Sequence, residues 1–295
     1  MSRTRVALVV FSAAALTLAG CSSSDPLAGG NNADGTIVVG SQAYYSNEII
    51  AEIYAQALEA DGHEVERQFN IGQRDAYMPL LEEGAISLFP EYTGNLLQFF
   101  DNETEARSPA DVEAALVEAL PESLVALDAA EASDQDSYTV TRAFADEGGL
   151  SSIADLARLS GSLTLGGPPE LSERPYGPTG LADVYGVDVD FSATGDTTVE
   201  DLVAGTVDVA NVFTADPRIQ LENLVVLDDP EALFLASNVV PVASATLADE
   251  IAETINAVSA ALSADDLVAL NVQSTQEEMS TPDIAAQWLA ANQLD

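Results

Sequence analysis

Leu81-Glu82-Glu83-Gly84-Ala85-Ile86-Ser87-Leu88-Phe89-Pro90-Glu91-Tyr92-Thr93 runs from a helix end through a glycine stop into a short apolar strand, and closes on an aromatic-threonine pair. Glycine ends a helix cheaply because it adopts left-handed backbone angles without a Cβ clash. The apolar run Ile86 to Phe89 then reads as a buried strand. The same order returns without gaps at Leu202-Val203-Ala204-Gly205-Thr206-Val207-Asp208-Val209-Ala210-Asn211-Val212-Phe213-Thr214. A Leu-x-x-Gly stop is common, so the match alone is weak proof of duplication. What matters is where each copy ends. Open α/β sheets bind ligands at the C-terminal ends of their parallel strands. Two facing lobes of this kind put Tyr92-Thr93 and Phe213-Thr214 on opposite walls of one cleft.

Outward from these copies, strands and helices alternate. Gly35 to Gly40 reads as a strand, Asn47 to Ala60 as a helix with Ile49, Ile50, Ile53, Ala57 and Leu58 on one face, and Val65 to Phe69 as a second strand. Leu124 to Leu127, Tyr138 to Thr141, Leu163 to Leu165 and Val207 to Ala210 follow as strands. Ser152 to Leu159, Pro178 to Tyr185 and Thr198 to Ala204 read as helices, and three more close the chain after Asp249. The pattern predicts an α/β fold with mainly parallel sheets.

The chain opens with Arg3 and Arg5, an apolar run from Val6 to Leu18, and Leu18-Ala19-Gly20-Cys21. The run is too short for a permanent membrane span and has the layout of a secretory signal over residues 1–20. Leu-Ala-Gly-Cys resembles the bacterial lipobox, which implies a diacylated Cys21 and a lipid anchor. Residues 21–35, rich in Ser, Gly, Asn and Asp, read as a flexible tether.

The chain carries 49 acidic residues against nine basic ones and one His. All the acids follow the signal segment, while Arg3 and Arg5 lie inside it. Such a field repels nucleic acid and anionic lipid. There is no Lys, which removes Schiff-base chemistry and the phosphate-loop lysine together. One Cys and one His, His63 in a polar turn, exclude a zinc site of the usual nitrogen and sulfur type. Gly166-Gly167-Pro168 is no dinucleotide fingerprint, because proline fills a position where a backbone N–H is needed. The expectation is a protein that is not an enzyme, without a cofactor or metal.

Several segments, in this order along the chain, resemble the substrate-binding lipoproteins of ABC importers for glycine betaine, choline, carnitine and related osmoprotectants. They are Val39-Gly40-Ser41, Ala51-Glu52-Ile53-Tyr54, Pro90-Glu91-Tyr92-Thr93-Gly94, Gly166-Gly167-Pro168-Pro169-Glu170 with Arg174, Phe213-Thr214-Ala215-Asp216 with Arg218, and Asn238-Val239-Val240-Pro241. The resemblance implies the two-lobed type II periplasmic-binding fold, with lobe one at residues 36–138 plus 239–295 and lobe two at 139–238. It also implies a box of aromatic rings around a quaternary ammonium, an ABC permease as membrane partner, and a monomer. A methylated ammonium cannot donate hydrogen bonds, so ring faces are its best partners, worth roughly 0.5–2 kcal/mol each when desolvated.

Carried over by position, the resemblance makes Tyr44, Tyr92, Tyr138 and Phe213 ring candidates, with Thr93 and Thr214 beside them. Arg174 is matched to the group that meets a ligand carboxylate, and Asp75 is a candidate extra negative charge near the ammonium. Arg218 with Asp216 reads as a structural pair. Gln42 stands where many members have Lys, and Ser237 where many have Tyr. A binding lipoprotein for an amino acid or polyamine, or a surface receptor without transport coupling, stays open as an alternative.

Overall fold

The structure, a computed structural model, describes residues 35–295; the expected signal, Cys21 and nearly all of the tether lie outside them. Ile37, Val38 and Val39 make β1 (Ile37–Gly40), buried along its whole length as a strand with both faces covered must be. α1 (Tyr45–Ala60) follows, with Ile49, Ile50, Ile53, Tyr54 and Leu58 fully buried. β2 (Val65–Gln68), α2 (Arg74–Glu82), β3 (Leu88–Tyr92), α3 (Thr93–Phe100), α4 (Pro109–Ala119) and β4 (Leu124–Ala126) complete the first passage. The chain then enters β5 (Asp136–Thr141), α5 (Arg142–Gly148), β6 (Leu163–Gly167), α6 (Pro178–Tyr185), β7 (Val189–Ala193), α7 (Thr198–Val203), β8 (Val209–Phe213), α8 (Arg218–Leu221) and β9 (Leu224–Val226). It returns through β10 (Val239–Ser244) to α9 (Ala248–Ala261), α10 (Ala264–Thr275) and α11 (Thr281–Asn292).

Two five-stranded sheets result, ordered β2-β1-β3-β10-β4 and β7-β6-β8-β5-β9. The orders correspond strand for strand. In each sheet one strand, β10 or β5, runs against its neighbours on both sides, while the rest share a direction. That odd strand is in both cases the first one entered after the chain crosses from the other sheet. The expected boundary at 138/139 falls inside β5, whose residues from Asp136 onward pair within the second sheet.

The two copies of the repeated segment occupy equivalent places, β3 and β8. Gly84 and Gly205 both hold positive φ, 76° and 71°, as the helix stops require. Differences from the sequence-based elements lie at strand edges. β3 does not stop at Phe89 but continues through Pro90, Glu91 and Tyr92, because Pro90 and its neighbours pair along antiparallel β10. Ile153–Arg158 forms a 3-10 helix rather than an α-helix, and β7 and β9, short and half-buried, have no counterpart in the sequence pattern.

The crossings themselves pair. Ser133 and Asn238 form an antiparallel bridge, the Val239 N–H donates to the Ala132 carbonyl at 2.9 Å, and the Ser133 hydroxyl donates to the Ser237 carbonyl at 2.8 Å. Two short backbone spans, side by side, are the only connections between the sheets along the described chain.

Candidate functional site

The ends of β3 and β8 and the start of α1 converge beside these crossings. Tyr44, the residue before α1, donates its hydroxyl to the Tyr92 hydroxyl at 2.5 Å, and its ring stacks on Phe213 with centroids 5.6 Å apart and planes 16° from parallel. Tyr92 belongs to the first sheet and Phe213 to the second, so Tyr44 joins the two walls. Tyr45 meets Tyr44 edge-on at 6.4 Å. Burial pushes the Tyr44 and Tyr92 phenols well above the usual range, so both stay neutral donors at any ordinary pH.

Tyr92 is held from behind. Glu91 points into the first lobe's core with no exposure at all, and Arg74 grips it through two bonds of 2.8 Å. The Tyr77 hydroxyl adds a third at 2.6 Å, and the Tyr92 N–H a fourth at 3.0 Å. Burial works against the Arg74 charge, but Glu91 overcomes it and leaves the guanidinium protonated well above its ordinary range. Asn47 completes the support: its amide donates to the Pro90 carbonyl at 2.9 Å and reaches the Tyr92 hydroxyl at 3.5 Å, while its oxygen accepts the Gln42 N–H at 2.8 Å.

The remaining candidates divide. Thr93 spends its hydroxyl on the second crossing, donating to the Ala236 carbonyl and accepting from the Asn238 N–H, both at 3.1 Å. Thr214 does the equivalent on the first: its hydroxyl accepts the Gln135 N–H at 3.0 Å, and its own N–H donates to the Gln135 carbonyl at 2.9 Å. Both threonines clasp the hinge strands. Tyr138 is fully buried, with its hydroxyl on the Tyr176 carbonyl at 2.5 Å and its ring edge-on to Phe234. Asp75 is exposed on α2. Arg174 is half-buried next to Tyr176 and forms no ion pair among the described residues. Arg218 is a structural pair with Asp216, at 2.6 Å, as its spacing suggests. His63 is half-buried between Asp61 and Glu250 rather than exposed.

Apart from Gly94 and Ser237, the residues that build the junction are not among the candidates the sequence offers. Asn95, in the first turn of α3, donates to Asp136 at 2.7 Å and to the Tyr176 hydroxyl at 3.0 Å, linking the two sheets. Ser237 binds Asn95 twice, accepting its N–H and donating to its side-chain oxygen at 2.6 Å. Gly94 lets α3 approach this closely, since a Cβ there lies 2.7 Å from the Ala236 carbonyl oxygen. Asn95, Gln135, Asp136, Tyr176 and Phe234 line a crevice too narrow to admit a water molecule. Only the dense polar run Asp134-Gln135-Asp136-Ser137 before a strand, and Tyr176 two residues past Arg174, hinted at this in the sequence.

Comparisons with known proteins agree with this architecture. The chain matches glycine betaine-binding protein YehZ of Escherichia coli strain K12 at 25% identity over 272 residues, 86% of this chain and 89% of that protein. A crystal structure of a glycine betaine/carnitine/choline ABC transporter protein superimposes with a TM-score of 0.74 at 21% identity, covering 88% of this chain and 99% of that one. The apo form of the Escherichia coli protein gives 0.66 at 24% identity, over 88% and 99% of the two chains. These superpositions fix the fold as that of the type II periplasmic-binding proteins. The family model for the substrate-binding domain of ABC-type glycine betaine transport systems, OpuAC, matches residues 35–291, and the chain belongs to that family.

Proposed function

We propose that this substrate-binding protein captures a quaternary-ammonium osmoprotectant between its two lobes and delivers it to an ABC permease. The convergence of Tyr44, Tyr92 and Phe213 from both sheets at the paired crossings carries this reading. Ring faces stabilise a methylated cation, and closing the lobes excludes water and strengthens each contact. Glycine betaine is the first candidate, with choline and carnitine next, consistent with the names of the relatives above. Arg174, which forms no ion pair among the described residues, supports a ligand that brings a carboxylate, because a planar guanidinium matches one well. A lipid anchor at Cys21 on the outer face of the cell membrane fits the leader and the tether.

Calorimetric titration with glycine betaine, choline, carnitine and proline betaine tests the reading. Arg174→Ala is expected to weaken the carboxylate ligands by about 2 kcal/mol and leave choline nearly unchanged. Equal loss for all ligands, or none, removes Arg174 from the site. Binding of an amino acid or polyamine alone overturns the ligand class. Cys21→Ala tests the anchor, which predicts release from the membrane fraction with the fold intact.

A further inference from the structure

Five acidic side chains are buried among the described residues: Glu52, Glu91, Asp134, Asp136 and Asp216. Three of them carry their own cation, Arg67 on Glu52, Arg74 on Glu91 and Arg218 on Asp216. Asp136 accepts from the Asn95 amide. Asp134 has only the Ala215 N–H, at 3.1 Å, and the Ser46 hydroxyl beside it. It is 3% exposed and forms no ion pair among the described residues. A carboxylate taken out of water without a cation either keeps a proton or waits for a positive partner.

The position of Asp134 says which partner. It lies in the first crossing, one residue before Gln135, which is bound to Thr214 in both directions. Its hydrogen-bond partner Ala215 is two residues past Phe213, and Ser46 is two residues past Tyr44. The carboxyl therefore sits under the loop ends that bring the stacked rings together. Burial raises the Tyr44, Tyr45 and Tyr92 phenols, and the Asp134 charge raises all three further.

We propose that Asp134 is the counter-charge for the ligand's cationic head, so that the Tyr44–Tyr92–Phe213 cage selects a permanent cation over an uncharged group of the same shape. This rests on the quaternary-ammonium reading above, and it moves the extra negative charge from Asp75, which is exposed, to a buried acid at the rings. Burial, reinforced by Asp136 and Asp216 and opposed by the Ala215 N–H and Ser46, pushes the Asp134 carboxyl up to about 7. Cation entry then expels a proton. The groups facing Asp134 are Tyr44, Tyr45 and Ser46 at the start of α1, Tyr92 on β3, Asp136 on β5, and Asp216 with its Arg218 after β8. The single histidine, His63, lies past the other end of α1. Below about 7 the proton must leave before the cation enters, so affinity falls with falling pH, by at most about tenfold per unit.

The test is calorimetric titration of wild type and Asp134→Asn from pH 5 to 8 with choline, glycine betaine and 3,3-dimethylbutan-1-ol, the uncharged carbon isostere of choline. Wild type is expected to bind the ammonium ligands more tightly as pH rises to about 7 and to release a proton near pH 6, read from buffers of different ionisation enthalpy. Asp134→Asn is expected to lose roughly tenfold or more for the ammonium ligands, to flatten the profile, and to keep or improve its affinity for the alcohol. If the variant does not fold, the wild-type pH profile and proton count still decide. A flat profile, or a variant that binds choline as wild type does, overturns the proposal. Affinity that rises toward low pH also overturns it, because Asp134 then acts as a closure latch that is protonated when the lobes shut. Failure of wild type to bind any quaternary ammonium is a separate outcome that removes the proposed function itself.

Discussion

The ends of β3 and β8 are two copies of one local design with different backing. Both strands follow a glycine-stopped helix, both end in an aromatic residue, and both place a threonine on the crossing beside them. Behind Tyr92 stands Glu91, locked by Arg74 and Tyr77; the matching position behind Phe213 is Val212, a plain apolar contact. Tyr92 is 4% exposed and Phe213 is 37% exposed. One wall is a fixed platform. The other is a half-exposed ring that leans on Tyr44 and is pinned through its following loop, where the Asn271 amide of α10 donates to the Ala215 carbonyl at 3.0 Å. A binding protein that must close and reopen gains from this asymmetry, because only one wall has to move.

Breaking the fixed wall has the largest expected effect. Arg74→Ala leaves Glu91 in the core with the Tyr77 hydroxyl and the Tyr92 N–H but no cation, and breaking a buried pair in this way costs about 3–5 kcal/mol of stability. Denaturant unfolding checks this, and a loss comparable with an exposed pair would mean that Glu91 is hydrated after all. The equivalent change on the other wall, Phe213→Ala, is expected to leave stability nearly unchanged while weakening ligand binding.

Tyr92 sharpens the comparison next. Tyr92→Ala removes ring face and apolar contact and is expected to cost about 1–3 kcal/mol of binding, whereas Tyr92→Phe keeps the ring and loses only the Tyr44 and Asn47 contacts. Equal losses in the two variants would make the hydroxyl, not the ring, the working part.

The smallest effect is expected at the pin. Asn271→Ala removes one hydrogen bond between the lobes, worth about 1 kcal/mol, and shifts the open–closed balance toward open. Small-angle scattering of the unliganded protein reads that shift as a larger radius of gyration. An unchanged radius would show that the Ala215 loop is held by its apolar burial alone.

Much of the frame was legible from residue order. β-branched runs such as Ile37 to Val39, the spaced apolar face of α1, and the repeated Gly84 and Gly205 stops gave the alternation and the likeness of the two halves, because these depend on local propensity and period. The Pro90-Glu91-Tyr92-Thr93-Gly94 segment marked the strand end where Tyr92 meets Tyr44. The sequence could not assign the partners of these residues. Thr93 and Thr214 look like ligand groups beside aromatics, and only the packed crossings show their hydroxyls bound to backbone. Arg74 and Asp75 are neighbours in the chain, yet helical geometry turns one into the core onto Glu91 and the other out to water. Among so many acids, Asp134 has no distinguishing mark until folding buries it against the Ala215 N–H without a cation. Charge compensation depends on distances between residues far apart in the chain, so composition states how many acids there are, and tertiary structure decides which of them are buried and which of those meet a cation.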